Sequence, residues 1–93
     1  MTLNQIRIFV LIAELGHVTR AAERLGITQS AASAAVAALE TQYEIKLFNR
    51  VGRSIQLSET GEHFLAEAQA LLSSARAAQR HLRELGGKTV GKL

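Results

Sequence analysis

Apolar residues recur at helical spacing through roughly the first 43 residues of the chain, which predicts a mainly helical N-terminal part. The first stretch, LNQIRIFVLIAEL, carries an apolar stripe made of Leu3, Ile6, Phe9, Val10 and Ala13. Thr2 and Gln5 have the spacing of a capping box, so this helix is predicted to begin at the N-terminus. Gly16 is its predicted end, because glycine adopts the left-handed conformation without steric cost.

The next stretch, TRAAERLGITQSAASAAVAALE, predicts two helices separated by a tight turn. Thr19 is the predicted opening of the first helix, and Gly26 its end. Thr28 is the predicted N-cap of the second helix, since its hydroxyl can accept from an orphan backbone N–H. Short polar side chains, Gln29, Ser30 and Ser33, follow at the leading end of that second helix. This combination is typical of a helix-turn-helix.

Two short runs after this pair alternate apolar and polar residues, the period of a half-buried strand. They are Ile45-Lys46-Leu47-Phe48 and Ser54-Ile55-Gln56-Leu57, with Gly52 between them where a hairpin would turn. The pattern predicts a small β-wing with Arg53 at its tip. Because two short strands are marginal alone, we expect the wing to pack on the helices.

The last long stretch carries a heptad pattern, and Ser58 is the predicted cap of its helix, which starts near Glu59. Its apolar positions are separated by 4, 3, 4, 3, 4 and 3 residues: Phe64, Ala68, Leu71, Ala75, Ala78, Leu82 and Leu85. About 27 residues make a rod roughly 40 Å long, too long to bury both ends against so small a domain. The pattern therefore predicts a dimer interface with a second copy. The alternative is an intramolecular core helix. Leu65 and Leu72 widen the apolar seam at one end, so the first turns of the helix could also pack on the globular part.

These elements predict a mainly α fold: a winged helix-turn-helix of three helices and a two-stranded wing, followed by a long dimerisation helix. The predicted division is 1–58 for the winged helix-turn-helix and 59–86 for the long helix. Gly86-Gly87 would end that helix, and 87–93 would form a flexible linker.

The amino-acid composition indicates the cellular compartment of the protein more clearly than its function. Without cysteine, the chain of 93 residues has no disulfide framework or thiolate metal site. The apolar run from Ile8 to Ala13 is far shorter than the roughly 20 residues of a membrane span. The N-terminus also lacks the pattern of a signal peptide. We expect a soluble cytoplasmic protein without cofactor, metal or membrane partner.

Positive charge is unevenly distributed, although the formal net charge is only +3. Between residues 45 and 57 the chain has Lys46, Arg50 and Arg53 and no acid, and Arg20 and Arg24 lie within the helix-turn-helix. A basic surface beside a helix pair is an electrostatic footprint for nucleic acid. A solvated basic face is the alternative, and charge alone does not separate the two.

In order and spacing, these residues resemble the DNA-binding domain and linker helix of the LysR-type transcriptional regulators. The matching residues are Leu3, Phe9, Thr19-Arg20-Ala21-Ala22, Leu25, Thr28-Gln29-Ser30-Ala31-Ala32-Ser33, Leu39-Glu40, Leu47-Phe48-Asn49-Arg50, Arg53, Leu57-Ser58 and Gly61. The resemblance implies a bacterial regulator that binds double-stranded operator DNA as a homodimer through the linker helix, with a higher oligomer in the full-length protein. It also implies a further domain that senses a small-molecule effector, so the chain resembles an isolated DNA-binding fragment.

The chain departs from the family pattern at five positions. Ser30 stands where proline is frequent, Glu44 where glycine is frequent, and His17 where serine often caps the second helix. With His17 there, the usual cap is expected to be missing. Ala34 and Ala35 replace long polar side chains, so fewer hydrogen-bond donors are expected to reach base edges.

Three residues are candidates for reading bases within this framework. Gln29 can bond adenine N6 and N7 bidentately in the major groove, and Ser33 can reach a base or a phosphate. Ala34 can contact a thymine methyl group.

The other candidate residues are expected to contact the DNA backbone or the minor groove. Thr28 and Ser30 lie at a helix N-terminus, where the dipole favours phosphate. Thr19, Arg20 and Arg50 are also expected to grip the backbone. Arg53 at the wing tip is expected to enter the minor groove and to sense its width.

Two other functional classes are weaker. An enzyme is disfavoured because Glu40 and Glu44, at i and i+4, have no nucleophile, metal cluster or phosphate loop beside them. A winged-helix module for protein assembly without DNA binding is the stronger alternative. A different winged-helix regulator family is disfavoured by the ordered motif set.

Overall fold

The computed structural model describes the backbone of residues 1–91 and the side chains of residues 1–87. The described elements are helices and one hairpin, in the order α1 (Leu3–Leu15), α2 (Val18–Leu25), α3 (Gln29–Tyr43), β1 (Phe48–Val51), β2 (Ser54–Leu57) and α4 (Glu59–Gly91). This confirms the predicted fold class, a winged helix-turn-helix followed by a long helix. Within the described residues, no helix combines the length and the hydropathy needed to cross a membrane.

The ends of α1 follow the local sequence. The Gln5 N–H donates to Thr2 Oγ1 at 3.1 Å, and the Thr2 N–H donates to Gln5 Oε1 at 3.0 Å, which is a complete capping box. Gly16 ends the helix with a left-handed backbone, and its N–H bonds to the Ile12 carbonyl. Both predictions are confirmed.

The start of α2 corrects the prediction at two points. The helix begins at Val18, and His17 is its N-cap: the Arg20 N–H donates to His17 Nδ1 at 3.2 Å. Thr19 therefore lies inside the first turn rather than opening the helix, and the expected missing cap is wrong. An unprotonated ring nitrogen accepts a hydrogen bond in the place where serine would offer its hydroxyl oxygen.

The turn between α2 and α3 is as predicted. Gly26 adopts a left-handed conformation with φ of 69° and ends α2. Thr28 caps α3, because its Oγ1 accepts from the Ala31 N–H at 3.0 Å. The two helices and their short turn make the helix-turn-helix.

Glu44 ends α3 in a conformation that glycine would adopt more readily. Its φ is 53°, and among the described residues it is the non-glycine residue that has a positive φ. Its N–H bonds back to the carbonyls of Glu40 and Thr41. The left-handed conformation costs an L-residue about 1–2 kcal/mol relative to the right-handed one.

The wing is an antiparallel hairpin with Gly52 and Arg53 in its turn, so the predicted tip is confirmed. Its first strand begins at Phe48, not at Ile45 as the alternation predicted. The backbone N–H of Leu47 donates to the Glu40 carboxylate, and the Leu47 carbonyl accepts from the Ser58 N–H. The Ser58–Leu47 bond continues the register of the hairpin by one pair. The reciprocal bond is missing because the Leu47 N–H donates to Glu40 and the Ser58 carbonyl accepts from the Glu62 N–H, so the ladder ends there.

The core joins the helices, the wing and the start of the long helix. The Phe9 ring lies 5.4 Å from the Phe48 ring and 5.1 Å from the Phe64 ring, measured between centroids. These rings therefore connect α1, β1 and α4 directly. The buried apolar residues are Ile6, Ile8, Phe9, Val10, Ile12, Ala21, Ala22, Ala32, Val36, Leu39, Leu47, Phe48, Ala68 and Leu72.

Ser58 fixes the start of α4, as predicted from its capping position. Its Oγ accepts from the Gly61 N–H at 2.9 Å and donates to the Lys46 carbonyl at 2.6 Å. Gly61 itself faces the Leu47 carbonyl so closely that a Cβ atom would overlap with it. The helix thus packs directly on the segment that precedes the wing.

The far end of α4 differs from the prediction. The helix continues through Gly86 and Gly87 to Gly91, so the expected helix end and most of the expected flexible linker are wrong. Glycine in a helix interior costs about 1 kcal/mol relative to alanine, but it keeps its backbone donor and does not clash as proline does. Residues 92 and 93 lie outside the described residues.

The heptad seam is divided between the chain's own core and its surface. Ala68 is fully buried within the single chain and Phe64 is half-buried there, because the first turns of α4 pack against α1. The assignment of Ala68 to an interface between copies is therefore corrected, and Leu72 is buried beside it. Ala75 is half-buried, while the remaining seam residues, Leu71, Ala78, Leu82 and Leu85, are exposed.

Candidate nucleic-acid interface

The start of α2, the start of α3 and the wing meet around one cleft of about 270 Å³. Its lining includes five of the residues predicted to contact DNA: Thr19, Gln29, Ser33, Arg50 and Arg53. The short turn at Gly26 places the α2 and α3 N-termini side by side, and the hairpin directs Arg50 and Arg53 toward them. Three separate sequence segments therefore contribute to a single surface.

A hydrogen bond across this cleft joins the two helices of the helix-turn-helix. Thr19 Oγ1 donates to Gln29 Oε1 at 3.2 Å, linking the first turn of α2 to the first residue of α3. The Gln29 amide keeps its two N–H donors and one further lone pair on its oxygen. The sequence placed both residues at the site but did not predict their contact.

Four other predicted residues lie outside the lining of this cleft and are exposed: Arg20, Thr28, Ser30 and Ala34. Arg20 lies in the first turn of α2, Ser30 lies in the first turn of α3, and Thr28 is the α3 cap. The Thr28 oxygen accepts the capping bond, which leaves its proton available to an external acceptor. Ala34 follows Ser33 along α3.

A second cleft, of about 510 Å³, shares Ser33 and Arg50 with the first and continues between α3 and the wing. Lys46 and Asn49 also line it, and both lie outside the predicted site. Lys46 could have been found from its place in the acid-free segment between residues 45 and 57, and Asn49 from its place beside Arg50 in the matching motif.

Glu40 connects α3 to the segment that leads into the wing, a contact that the sequence did not predict. Its Oε2 accepts from the Leu47 N–H at 2.8 Å and from the Phe48 N–H at 3.4 Å. The carboxylate therefore links α3, which is the second or recognition helix of the helix-turn-helix, to the base of the wing.

The exposed charged residues that line the two clefts are all basic. They are Lys46, Arg50 and Arg53, whereas Glu40 is partly buried and bonded inward. Basic side chains grouped beside helix N-termini attract phosphate through both their charge and the helix dipole. The surface is chemically suited to a polyanion.

A helix-turn-helix whose second helix shares a basic face with a β-hairpin defines the winged helix-turn-helix class of DNA-binding domains. Residues 3–62 match the family described as bacterial regulatory helix-turn-helix protein, lysR family. Because this match covers more than half of the chain, the chain belongs to the LysR family.

Known relatives and solved structures agree with this assignment. The chain is 40% identical over 93 residues to an uncharacterized HTH-type transcriptional regulator in the ibpB-leuC intergenic region of Azotobacter vinelandii, and it spans 65% of that relative's length. The structure of a BenM_DBD/catB site 1 DNA complex matches with a TM-score of 0.87 at 29% identity, covering 92% of this chain and 96% of the other. A CbnR_DBD-DNA complex matches with a TM-score of 0.83 at 30% identity, covering 92% and 99%. The chain is thus a DNA-binding domain of the transcription-regulator type.

Proposed function

We propose that the chain binds an interrupted palindrome in double-stranded DNA as a dimer, with α3 in the major groove and the wing in the minor groove. The observation that carries this proposal is the cleft that Thr19, Gln29, Ser33, Arg50 and Arg53 share. A helix end rich in short polar side chains beside basic wing residues has the chemistry to read base edges and to grip phosphates together.

Base reading is assigned to the exposed leading end of α3. Gln29 can accept from adenine N6 and donate to N7, because its oxygen retains a lone pair and its amide nitrogen both protons. Ser33 lies one turn further along and can bond a base or a phosphate. Ala34 supplies an apolar contact for a thymine methyl group.

Backbone contacts are assigned to the N-termini of α2 and α3 and to the wing. Arg20, Thr28 and Ser30 are exposed in or beside first turns, where unpaired N–H groups and the helix dipole favour phosphate. Arg50 lines both clefts and would neutralise a phosphate between the helix and the wing. Arg53, in the two-residue turn of the hairpin, would enter the minor groove.

The dimer interface is assigned to the part of α4 beyond the domain core. Leu71, Ala78 and Leu82 keep the heptad spacing and are exposed, with 70% of Leu82 accessible in the single chain. A second copy of α4 would cover them and would fix the distance between two recognition helices. In the full-length protein we further propose a higher oligomer, a cytoplasmic location and control by a small molecule bound to another domain.

The test is selection of bound sequences from a library of randomised duplexes by this chain, followed by titrations of the selected duplex over a range of salt concentrations. We expect an interrupted palindrome and an affinity that falls steeply with salt, because phosphate contacts release counterions. A chain that dimerises but enriches no sequence and binds duplex without salt dependence would instead be an assembly module, and the DNA proposal would be wrong.

A further inference from the structure

The hydrogen bond between Thr19 and Gln29 gives the hydroxyl a different role from a phosphate contact. Thr19 lies in the first turn of α2, and Gln29, ten residues later, is the first residue of α3. Both side chains line the cleft between the helices and the wing. A threonine hydroxyl carries one proton, and this proton is directed to the Gln29 oxygen at 3.2 Å.

We propose that Thr19 is a positioning residue that sets the base specificity of Gln29, by holding the orientation of its amide for adenine. The inference rests on the proposed reading of a base by Gln29 and adds the residue that orients the reader. It separates two groups of Thr19: the hydroxyl acts on Gln29, and the backbone N–H of the first turn remains available to phosphate.

The chemistry of the purines explains why the orientation matters. Adenine presents a donor at N6 beside the acceptor N7, whereas guanine presents two acceptors, O6 and N7. An amide whose oxygen faces position 6 and whose nitrogen faces N7 makes both hydrogen bonds with adenine. With guanine the nitrogen still donates to N7, but the amide oxygen faces the O6 oxygen, and two acceptors repel. An amide free to turn over can instead donate toward guanine. A donor that holds the Gln29 oxygen in place therefore favours adenine over guanine.

The tether also lowers the cost of binding. A glutamine side chain loses rotamer freedom when it is fixed on a base, and a side chain already held by a neighbour loses less. This gain applies to the base that fits the held amide and not to the phosphates. The predicted effect is therefore on the ratio between base pairs and not on the general affinity for DNA.

The experiment compares the chain with its variants Thr19→Val, Thr19→Ser, Gln29→Ala and the double variant Thr19→Val/Gln29→Ala. Each selects sequences from the same library of randomised duplexes, and each binds one random duplex as a measure of general affinity. Valine keeps the shape of threonine but has no donor, and serine keeps the donor, so serine is the matched control. Circular dichroism melts check that the variants fold.

We expect Thr19→Val to lower the preference for A·T over G·C by about 3- to 10-fold, the effect of losing one hydrogen bond. The loss should fall on the base pair whose preference Gln29→Ala also relaxes, and it should exceed any loss of affinity for the random duplex. Thr19→Ser should retain the preference. In the Gln29→Ala background, Thr19→Val should have no further effect on it, because the two residues act as one unit.

Two results would overturn the inference and are distinguishable. If Gln29→Ala relaxes a base preference and Thr19→Val instead weakens specific and random duplexes equally, the hydroxyl binds phosphate and only the positioning role is wrong. If Gln29→Ala relaxes no preference, the base-reading role fails and the positioning role fails with it.

Discussion

Glu40 and Leu47 are joined by a 2.8 Å hydrogen bond in which the Leu47 N–H donates to the glutamate Oε2. The same oxygen accepts from the Phe48 N–H at 3.4 Å. One side chain of the recognition helix thus satisfies the backbone of the segment that leads into the wing. The link joins α3, which carries Gln29, to the hairpin that carries Arg53.

Replacing Glu40 by alanine is expected to destabilise the domain by about 1–3 kcal/mol, because two partly buried N–H donors lose their acceptor. Denaturant unfolding measures the loss. Glu23→Ala, which removes an exposed carboxylate from α2, is the matched control and should change stability by less than about 0.5 kcal/mol. Equal effects of the two substitutions would show that Glu40 contributes only its charge.

Gly61→Ala is expected to destabilise the domain by at least about 1–3 kcal/mol, because the new methyl group meets the Leu47 carbonyl and the Leu57 side chain. Gly86→Ala in the same helix is the control, since nothing lies near its position. It should leave the melting temperature unchanged or raise it, because alanine favours helix. If Gly61→Ala melts like the original chain, α4 does not pack as closely on the Leu47 backbone as described.

Glu44→Gly is expected to stabilise the domain by about 1 kcal/mol, since glycine adopts the left-handed conformation at the end of α3 without steric cost. Glu44→Ala keeps the Cβ atom and should not gain this stability. The midpoint of denaturant unfolding for the two variants measures the difference. A lower midpoint for the glycine variant would indicate that Glu44 makes a compensating interaction.

Arg53→Ala is expected to weaken DNA binding most where the flanks of the selected site are A·T-rich, because a narrow minor groove concentrates negative potential. Arg80→Ala is a control with the same loss of charge, on α4 and away from the wing. Titrations on duplexes that differ only in their flanks compare the two variants. A loss that does not depend on the flanks would remove Arg53 from the minor groove.

Leu82→Glu is expected to yield monomers in sedimentation experiments, because it places a charge on the exposed part of the heptad seam. Gln79→Glu adds the same charge at an exposed position off the seam and should remain dimeric. Leu72→Glu should instead unfold the domain, since Leu72 is buried within the chain. A Leu82→Glu/Leu71→Glu chain that stays dimeric would show that the interface lies elsewhere.

Local signals in the sequence predicted most of the fold. Thr2, Gly16, Gly26 and Thr28 act within their own turns, so a few neighbouring residues suffice to predict the helix ends. His17 was missed as a cap because its ring nitrogen replaces the usual hydroxyl. The prediction that α4 ends at Gly86 was wrong, because glycine can adopt the left-handed conformation that ends a helix but can also remain helical.

Contacts between distant segments could not be predicted in the same way. The alternation of residues 45–48 predicted a strand, but the Leu47 N–H donates to the Glu40 carboxylate and the Ser58 carbonyl accepts from Glu62 at the start of α4, so the pairing does not continue toward Ile45. The heptad pattern places both Ala68 and Leu82 in the predicted interface, although Ala68 is buried by its own chain and Leu82 is exposed. The motif predicted five residues that the fold brings to one cleft, whereas the bond between Thr19 and Gln29 depends on how two helices pack.

The cap at Ser58 gives the long helix a mechanical role. Because Ser58 bonds both the Lys46 carbonyl and the Gly61 N–H, α4 is attached directly to the segment that precedes the wing. The helix of 33 residues is about 50 Å long, and its first turns are attached to the domain that carries the DNA-reading face. A tilt of about 10° in the reading face would move its far end by roughly 9 Å. A rotation of the reading face is therefore expected to appear as a displacement at the distal end of α4.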